Sequence, residues 1–433
     1  MELRVRTFDT ARLAVDKIAR AIAASPPVGT PQEQAAVADI VEAVRARGDV
    51  GLLEYTRRFD WPRATVSRLR ATRAQLKAAP SSLSARDREA LQFAISRVRR
   101  YHEGQKPADT LRIDEDGSVI GNRFVPLDSA GIYATVASSL IMAAVPAQVA
   151  GVRRIAVATP PGRDGKGRGG VLAAASLHGL TELYKVGGAQ ALAAGALGTK
   201  TITAVDKVVG AGNIYVTIAK RMLYGTVGID GLYGPSELTI IADETASPEW
   251  LAADLAAQAE HVPVVGALPV VALISPSKRV VRETCAALKT LLADLRQGEK
   301  TARAVCESGS FVIVRDLRQA AALSNLIAPE HLQISVREPL SILAMIRHAG
   351  CIVLGHQTTV PIGDYAAGPS HVLPTGRSAR FSSGLHVSDF MKRSSVIAVS
   401  PGWLDRHGDM VERLAMLEGL QAHAKAISAR RAR

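Results

Sequence analysis

The sequence contains few cysteines and few aromatic residues. Its three cysteines, Cys285, Cys306 and Cys351, are odd in number and far apart, which argues against a disulfide framework and fits a reducing compartment. Aromatic residues make up 4% of the chain, and no alternation of basic and aromatic residues occurs, which disfavours nucleic-acid binding. These shortages predict a cytoplasmic protein that does not bind nucleic acid.

Long hydrophobic runs are also missing. The best candidate, residues 138–152, contains Pro146 and Gln148, and it is shorter than the ~20 apolar residues that a membrane span needs. The first twenty residues carry charges every few positions, so they lack the apolar region of a signal peptide. We therefore expect no membrane association.

The composition is that of a folded protein with more than one domain. The chain has 433 residues, of which 47% are hydrophobic and 21% charged, and this length favours two or more domains. Lys and Arg number 53 against 40 Asp and Glu, which gives a net charge of +13. Part of this excess lies in the tail at 425–433. The remainder predicts a solvated basic surface, which is compatible with an anionic substrate.

Hydrophobic periodicity divides the chain into a helical part and an α/β part. The first hundred residues have helical spacing, with Gly48 as a break between two segments. From about residue 118, short β-branched runs alternate with Ala-rich helical stretches, a pattern that indicates parallel sheets with helical crossovers. Two such series predict two α/β regions. The last fifty residues, from about Gly384, are predicted to be helical.

The C-terminal half contains side chains suited to metal binding and proton transfer. Gln258, His261, Asp364 and His423 form a mixed nitrogen and oxygen ligand set suited to a borderline cation such as zinc. The adjacent pair Glu330-His331 has the groups that water activation and proton abstraction need. Taken alone, each element also fits an ordinary role. Gln258 and His261, three apart in a predicted helix, fit a solvated helix end, and Glu330-His331 after a proline fits a helix N-terminus or surface turn.

Glycine-rich and proline-rich segments mark further candidates. Residues 363–376 combine three glycines, two prolines, an Asp and a His, which describes a rigid loop of the kind that carries chemistry. Residues 208–216 place two glycines just before a predicted helix, as at a phosphate-binding turn. Residues 234–237 have the composition of a turn before a strand.

Taken in order, these segments resemble the histidinol dehydrogenase family over nearly the whole chain. The residues that carry the resemblance are VRARGDVGLLEYTRRFD (44–60), YKVGGAQALAAGALGT (184–199), 205–237, 240–261, APEHLQI (328–334), 363–397 and EGLQAH (418–423). Several of these blocks exceed ten residues, so together they are far more specific than any single motif.

The resemblance implies an α/β fold with two incomplete Rossmann-like parallel-sheet domains and smaller helical N- and C-terminal segments. It implies four parts, which are an N-terminal helical segment (1–25), a first Rossmann-like domain with the zinc and catalytic residues (26–132 and 237–384), a second on the NAD side (133–236), and a C-terminal helical segment (385–433). It also implies a homodimer in which the C-terminal segment reaches the partner's site.

The family further implies an NAD-dependent oxidation of L-histidinol to L-histidine through histidinal, in histidine biosynthesis. By this resemblance, one zinc ion per subunit is bound by Gln258, His261, Asp364 and His423, and acid-base catalysis is carried out by Glu330 and His331. The substrate is contacted by Ser236, His371 and Glu418 together with the zinc ligands and His331. The dinucleotide is contacted by Tyr133, Gln190 and Asn213. The substrate is then a small amino alcohol.

The chain departs from the family pattern at several positions. The loop after Tyr133 is shortened, Ala211 replaces a proline in the turn before Asn213, the segment after His261 is lengthened, and Ser370 replaces an asparagine beside His371. These changes keep two alternatives open, a paralog that oxidises another small polar alcohol such as a dihydroxypropane sulfonate, and a non-catalytic zinc-containing binding protein that has lost NAD. Retention of all six proposed ligand and acid-base residues favours an enzyme.

Overall fold

The computed structural model describes residues 3–23, 29–262 and 267–431. None of the helices in these ranges is long and apolar enough to cross a lipid bilayer.

The strands are β1 (Arg6–Asp9), β2 (Thr110–Ile113), β3 (Val119–Pro126), β4 (Ser129–Tyr133), β5 (Arg154–Ala158), β6 (Glu182–Tyr184), β7 (Lys207–Val209), β8 (Gly228–Ile229), β9 (Glu237–Ala242), β10 (Val270–Ser275), β11 (Ser310–Ile313), β12 (His331–Ser335), β13 (Cys351–Leu354) and β14 (Met391–Ala398).

The α-helices are α1 (Val15–Ile22), α2 (Pro31–Arg47), α3 (Asp49–Phe59), α4 (Val66–Leu69), α5 (Arg73–Ala78), α6 (Ala85–Glu103), α7 (Ala137–Ala150), α8 (Gly169–Leu177), α9 (Gly188–Leu197), α10 (Ile214–Leu223), α11 (Pro248–Ala259), α12 (Lys278–Asp294), α13 (Gly298–Ser308), α14 (Leu317–Ile327), α15 (Pro339–Leu343), α16 (Val360–Tyr365), α17 (Pro401–Leu417) and α18 (Gln421–Arg431). Short 3-10 turns occupy Ala79–Ser82, Ser378–Arg380 and Val387–Phe390.

Two parallel sheets form the framework. The six-stranded sheet runs β1-β11-β10-β9-β12-β13, and the five-stranded sheet runs β6-β5-β4-β7-β8. Apart from the edge strand β1, both sheets share one strand order, in which the chain starts at the central strand, proceeds outward on one side, and then crosses to the other side. In such doubly wound sheets the crossing point opens a crevice at the carboxyl ends of the two central strands. These crevices lie between β9 and β12 and between β4 and β7.

Helices cover both faces of both sheets. The five-stranded sheet packs on one face against α6, α7 and α8 and on the other against α2, α3, α9 and α10. The six-stranded sheet packs on one face against α11, α12 and α13 and on the other against α1, α14 and α15. Burial on both faces explains why their strands are nearly continuous apolar runs.

The chain termini extend the framework. The strand β1 joins the edge of the six-stranded sheet beside β11. The strand β14 pairs antiparallel with β3 over its whole length and, with β2, forms a separate three-stranded sheet. The helices α17 and α18 follow β14 and pack on each other.

The structure confirms the predicted α/β class with two parallel sheets and helices in both terminal segments. A strand nevertheless lies in each terminal segment that is predicted to be helical. These strands are β1 in the N-terminal segment and β14 in the C-terminal one, and the partner of β14, β3, lies far away in sequence. The helices α2 and α3 pack on the five-stranded sheet. The division into domains stays a prediction.

Candidate active site

One polar cluster lies at the amino ends of the central strands of the six-stranded sheet. Ser236 and Glu237 stand at the start of β9, and Glu330 and His331 stand at the start of β12. Because β9 and β12 are parallel neighbours, with His331 in register with Leu238, the four residues meet at one edge. Glu330 therefore lies directly before β12, and His331 is the first residue of that strand. The alternative of a helix N-terminus is wrong, because α14 ends before the pair, at Ile327, and its cap residue Ala328 has a left-handed backbone with φ of 53°. The alternative of a surface turn is wrong as well, because both residues are buried.

Glu330 is fixed by two donors on one of its oxygens. Its Oε2 accepts hydrogen bonds from the Ser236 hydroxyl at 2.6 Å and from the Glu237 backbone N–H at 2.7 Å. The other oxygen, Oε1, has no hydrogen-bond partner among the described residues. Ser236 in turn accepts a hydrogen bond from Gln258 Nε2 at 2.5 Å. The amide nitrogen of Gln258 is thereby committed to Ser236, which leaves its carbonyl oxygen as the group that could bind a cation.

The ring of His331 is oriented by a backbone carbonyl. Its Nδ1 lies 3.1 Å from the Glu237 carbonyl oxygen, which can only accept, so Nδ1 carries a proton. Its Nε2 faces Asp364 Oδ1 at 3.6 Å. Burial lowers the pKa of His331, but the carboxylates of Glu330 and Asp364 outweigh this effect and raise the pKa well above its usual value.

Asp364 and His371 reach the same cluster from the loop that the sequence singled out. Asp364 lies in the last turn of α16, and the Nδ1 of His371 lies 2.9 Å from its backbone carbonyl oxygen. Burial raises the pKa of Asp364, but the hydrogen bond and charge of His331, with the charges of His371 and His261, lower it overall. Desolvation lowers the pKa of His371.

His261 approaches the cluster from beyond the end of a helix. The helix α11 ends at Ala259, so Gln258 lies in its last turn and His261 lies beyond the helix that the sequence predicts for both. A turn instead brings the His261 backbone N–H to the Gln258 carbonyl at 3.2 Å. His261 is exposed, and its charge acts on Asp364.

Two predicted site residues lie apart from this cluster. Glu418 follows α17 and His423 lies in α18, and both are exposed. Within residues 3–23, 29–262 and 267–431, no three His, Cys, Asp or Glu side chains are gathered closely enough to hold a metal ion. One chain thus assembles Ser236, Gln258, Glu330, His331, Asp364 and His371, with His261 close by, and leaves Glu418 and His423 outside.

Glu237 also belongs to the cluster, although its only signal in the sequence is the predicted turn at 234–237. Its side chain is 2% exposed, its Oε1 accepts a hydrogen bond from the Gly376 N–H at 2.5 Å, and its Oε2 is buried among the described residues without a partner. Burial, with a contribution from the charge of Glu330, raises the pKa of Glu237 to about 8.

The second cluster lies at the switch point of the five-stranded sheet. Tyr133 ends β4, and residues 210–213 follow β7, so they flank the crevice between these strands. Gly210 has a φ of +119°, and a Cβ there would lie 2.1 Å from the Tyr133 carbonyl oxygen, so only glycine fits. Asn213 caps α10 by accepting from the Val216 N–H. The structure therefore places Tyr133 and Asn213 together.

Gln190 is the third predicted dinucleotide contact. Its side chain is held by Asp60, a residue that the sequence analysis did not single out. Gln190 is 1% exposed and donates to Asp60 Oδ2 at 3.0 Å. The same carboxylate oxygen accepts from the Gly187 N–H at 2.9 Å, and the next amide, Gly188 N–H, donates to the Tyr133 hydroxyl. Burial raises the pKa of Asp60 in spite of these hydrogen bonds.

A buried ion pair fixes the glycine turn. Lys220 and Asp230 have side chains only 1% exposed and contact each other directly. Lys220 Nζ donates to the Gly210 carbonyl at 2.9 Å, and Asp230 Oδ2 accepts from the Gly210 N–H at 2.7 Å. Lys220 also lies 4.5 Å from the centre of the Tyr233 ring. The pair therefore hydrogen-bonds both backbone polar groups of Gly210, its carbonyl oxygen and its N–H.

The departures from the family pattern are accommodated locally. The shortened connection after Tyr133 is three residues, 134–136, and α7 follows it with Val136 at a cap position that supplies no side-chain hydrogen bond. Ser370 is buried and donates to the Met142 carbonyl at 3.1 Å. Of the lengthened segment after His261, residues 263–266 lie outside the described residues.

Comparison with known proteins gives a consistent result. The family model described as histidinol dehydrogenase matches residues 26–431. A histidinol dehydrogenase of Geobacillus kaustophilus is 44% identical over 407 residues, covering 93% of this chain and 95% of the relative. One from Caulobacter vibrioides is 45% identical over 408 residues, covering 93% and 94%. The crystal structure of histidinol dehydrogenase from Elizabethkingia anophelis superposes with a TM-score of 0.93 at 32% identity, covering 99% of this chain and 98% of that one.

Proposed function

The chain belongs to the histidinol dehydrogenase family, and from this we propose that it oxidises L-histidinol to L-histidine through histidinal, with NAD as the hydride acceptor. The observation that carries the proposal is the buried Glu330-His331 pair, which shares one edge of the six-stranded sheet with Gln258 and Asp364. This set of groups fits a reaction that needs a base, an activated water and a fixed polar substrate.

His331 is the base for the alcohol. Since Nδ1 is committed to the Glu237 carbonyl, Nε2 is the nitrogen that would accept the hydroxyl proton when hydride leaves the carbon. The carboxylate of Asp364 favours a proton on this nitrogen, so a cation bound to Asp364 would offset that effect and leave Nε2 able to act as a base. The fixed ring orientation means that the base does not have to be ordered during the reaction, which lowers the entropic part of the barrier.

Glu330 is the base for water in the second half of the reaction. Its Oε2 is held by Ser236 and the Glu237 N–H, so the unpartnered Oε1 is the oxygen that faces an incoming water. Water that loses a proton to Glu330 attacks the aldehyde, and the resulting hydrate supplies the second hydride. Retention of the aldehyde in this buried edge protects a reactive intermediate.

The donor set of the cluster fits a zinc ion shared between subunits. The carbonyl oxygen of Gln258, a nitrogen of His261 and the carboxylate of Asp364 would hold it, with His423 of a second copy as the fourth ligand. Bound zinc would supply a positive charge for the nitrogen atoms of the substrate and would offset the charge of Asp364. His371 and Glu418 would complete the substrate contacts.

The crevice at β4 and β7 is the proposed NAD site. It has the location that doubly wound sheets use for nucleotides, and α7 and α10 begin there because they follow β4 and β7. Backbone N–H groups at helix N-termini attract phosphate groups. Tyr133, Gln190 and Asn213 would form the walls of the site, and bound NAD would accept the hydride.

We propose a homodimer because two site residues lie outside the cluster of their own chain. Exposed apolar side chains lie along one side of α17, where Met410 is 64%, Leu414 60% and Leu417 84% exposed. Such a contiguous patch is typical of an interface. Docked on a second copy, this segment would carry Glu418 and His423 into the partner's cluster.

Mixing variants tests the shared site. His261→Asn and His423→Asn should each be inactive, but a heterodimer of the two would contain one site with both native residues. Random reassociation should restore about a quarter of the wild-type activity. Absence of any recovery in verified heterodimers would contradict the shared site.

Single substitutions test the roles of the catalytic pair. His331→Asn should lower the rate of the first oxidation by about 10²- to 10⁴-fold, whereas Glu330→Gln should still form one NADH from histidinol and then accumulate the aldehyde. His356→Asn is the matched control, since His356 hydrogen-bonds Ser335 at the opposite edge of the same sheet. If both catalytic variants turned over histidinol like this control, the assignment would be wrong.

A further inference from the structure

Asp254 is a buried acid that the proposed reaction does not use. It lies in the middle of α11, is 6% exposed, and has no cation beside it among the described residues. Its Oδ2 accepts a hydrogen bond from Gln333 Nε2 at 2.6 Å, and its Oδ1 accepts one from the Thr359 hydroxyl at 2.5 Å. Burial raises its pKa against the effect of both hydrogen bonds. Burial of an acid without a neighbouring cation costs stability, so we expect Asp254 to have a role other than stabilising the fold.

These two hydrogen bonds join three elements, and each element carries a proposed site residue. Asp254 precedes Gln258 by four residues on α11, so both lie on one face of the helix. Gln333 follows His331 by two residues on β12, so both point to one face of the sheet. Thr359 immediately precedes α16, whose last turn contains Asp364.

We propose that Asp254 is a positioning residue that sets the relative placement of Gln258, His331 and Asp364, an inference that rests on the proposed function. A single carboxylate fixes α11 against β12 through one oxygen and against the start of α16 through the other. Removal of either acceptor lets one element move relative to the other two. Residues that orient metal ligands in this indirect way are nearly as important for affinity as the ligands themselves.

The chemistry of the three side chains suggests a sharp test. Asp254→Asn is the same size and keeps an oxygen for Thr359, but it removes the charge that strengthens both hydrogen bonds. Gln333 can offer its oxygen to the new N–H group only by turning its own NH2 group into the buried space where its Oε1 now has no partner, so the link to β12 is weakened. The double substitution Asp254→Asn with Gln333→Glu moves the carboxylate to the other side and restores the hydrogen bond with reversed polarity.

Asp243→Asn provides the matched control. Asp243 is also 6% exposed and follows β9 of the same sheet, and it accepts hydrogen bonds from the backbone N–H groups of Arg337 and Thr245 at 2.9 Å each. It lies at the carboxyl edge, away from the cluster, so its loss reports on general destabilisation.

The first measurement is the zinc affinity of the full-length protein by competition with a chelator. Asp254→Asn should bind zinc about 10- to 100-fold more weakly than wild type, Asp243→Asn should stay within about twofold of wild type, and the double variant should recover most of the loss. Equal losses in Asp254→Asn and Asp243→Asn, or no recovery in the double variant, would overturn the proposal.

The second measurement needs no metal and separates this proposal from the proposed function. In metal-free protein, amide hydrogen exchange in residues 359–367 should accelerate about tenfold in Asp254→Asn and should stay at the wild-type rate in Asp243→Asn and in the double variant. Failure of wild type to bind zinc would refute the proposed function alone. Unchanged exchange in Asp254→Asn would refute the positioning role.

Discussion

Replacement of Lys220 by methionine tests whether the buried ion pair fixes the proposed dinucleotide turn. Methionine retains most of the apolar stem but removes the charge and the hydrogen bond to the Gly210 carbonyl. Asp230, whose side chain is 1% exposed, would be left as a buried acid without its cation. Desolvation lowers the pKa of Lys220 in opposition to the charge of Asp230. Removing one partner of such a pair costs about 3–5 kcal/mol.

Urea unfolding of the variant and a double-mutant comparison measure this cost. Lys220→Met should lower the free energy of unfolding by about 3–5 kcal/mol, whereas the combination with Asp230→Asn should be less destabilised because no buried charge remains. Lys278→Met, at an exposed position at the start of α12, is the control and should stay within about 0.5 kcal/mol of wild type.

The same variant should weaken NAD binding more than histidinol binding. Gly210 would lose its carbonyl partner, and the turn beside Tyr133 would be less ordered, so the KM for NAD should rise while the KM for histidinol changes little. A loss below about 1 kcal/mol, or a double variant no more stable than Lys220→Met, would refute the reasoning.

Three further predictions concern other positions. Asp60→Ala should raise the KM for NAD, because Gln190 and Gly187 lose their common acceptor, and an unchanged KM would contradict the role given to Asp60. Gly210→Ala should cost about 1–3 kcal/mol or more, measured by urea unfolding, since its Cβ would lie 2.1 Å from the Tyr133 carbonyl oxygen. Glu237 has a pKa raised from 4.5 to about 8, so the folded protein retains a proton that the unfolded chain releases. Wild-type stability relative to Glu237→Gln should therefore fall as pH rises from about 5 to about 8, with a slope of up to about 1.4 kcal/mol per pH unit, and a flat difference would show that Glu237 is ionised throughout.

Periodicity in the sequence was enough for most of the framework. The β-branched runs at β5, β7, β9, β10 and β11 are buried on both faces, so they are continuous and easily recognised. The strands β12 and β14 were harder. His331–Ser335 contains three polar residues, of which His331 faces the site, Gln333 binds Asp254 and Ser335 binds His356. Met391–Ala398 depends on β3, a partner far away in sequence.

The site was less predictable than the fold. Its ligand and acid-base residues have suitable chemistry, but their grouping into one site and their roles rest on the family resemblance, since no local spacing brings Glu330, Asp364 and Gln258 together. Glu237 and Asp254 look like ordinary residues of a strand and a helix, and only the packing of β9 against β12 and α11 gives them partners. Lys220 has the appearance of a solvated helical lysine until Asp230 is placed beside it.

The most direct test of the proposed function is the number of NADH molecules formed per molecule of L-histidinol by the zinc-loaded protein, followed at 340 nm. Complete two-step oxidation predicts two NADH per histidinol, because His331 serves the alcohol step and Glu330 provides the water for the second. A ratio of one would contradict the role of Glu330 in aldehyde hydration. No NADH from a protein that holds zinc would contradict histidinol as the substrate.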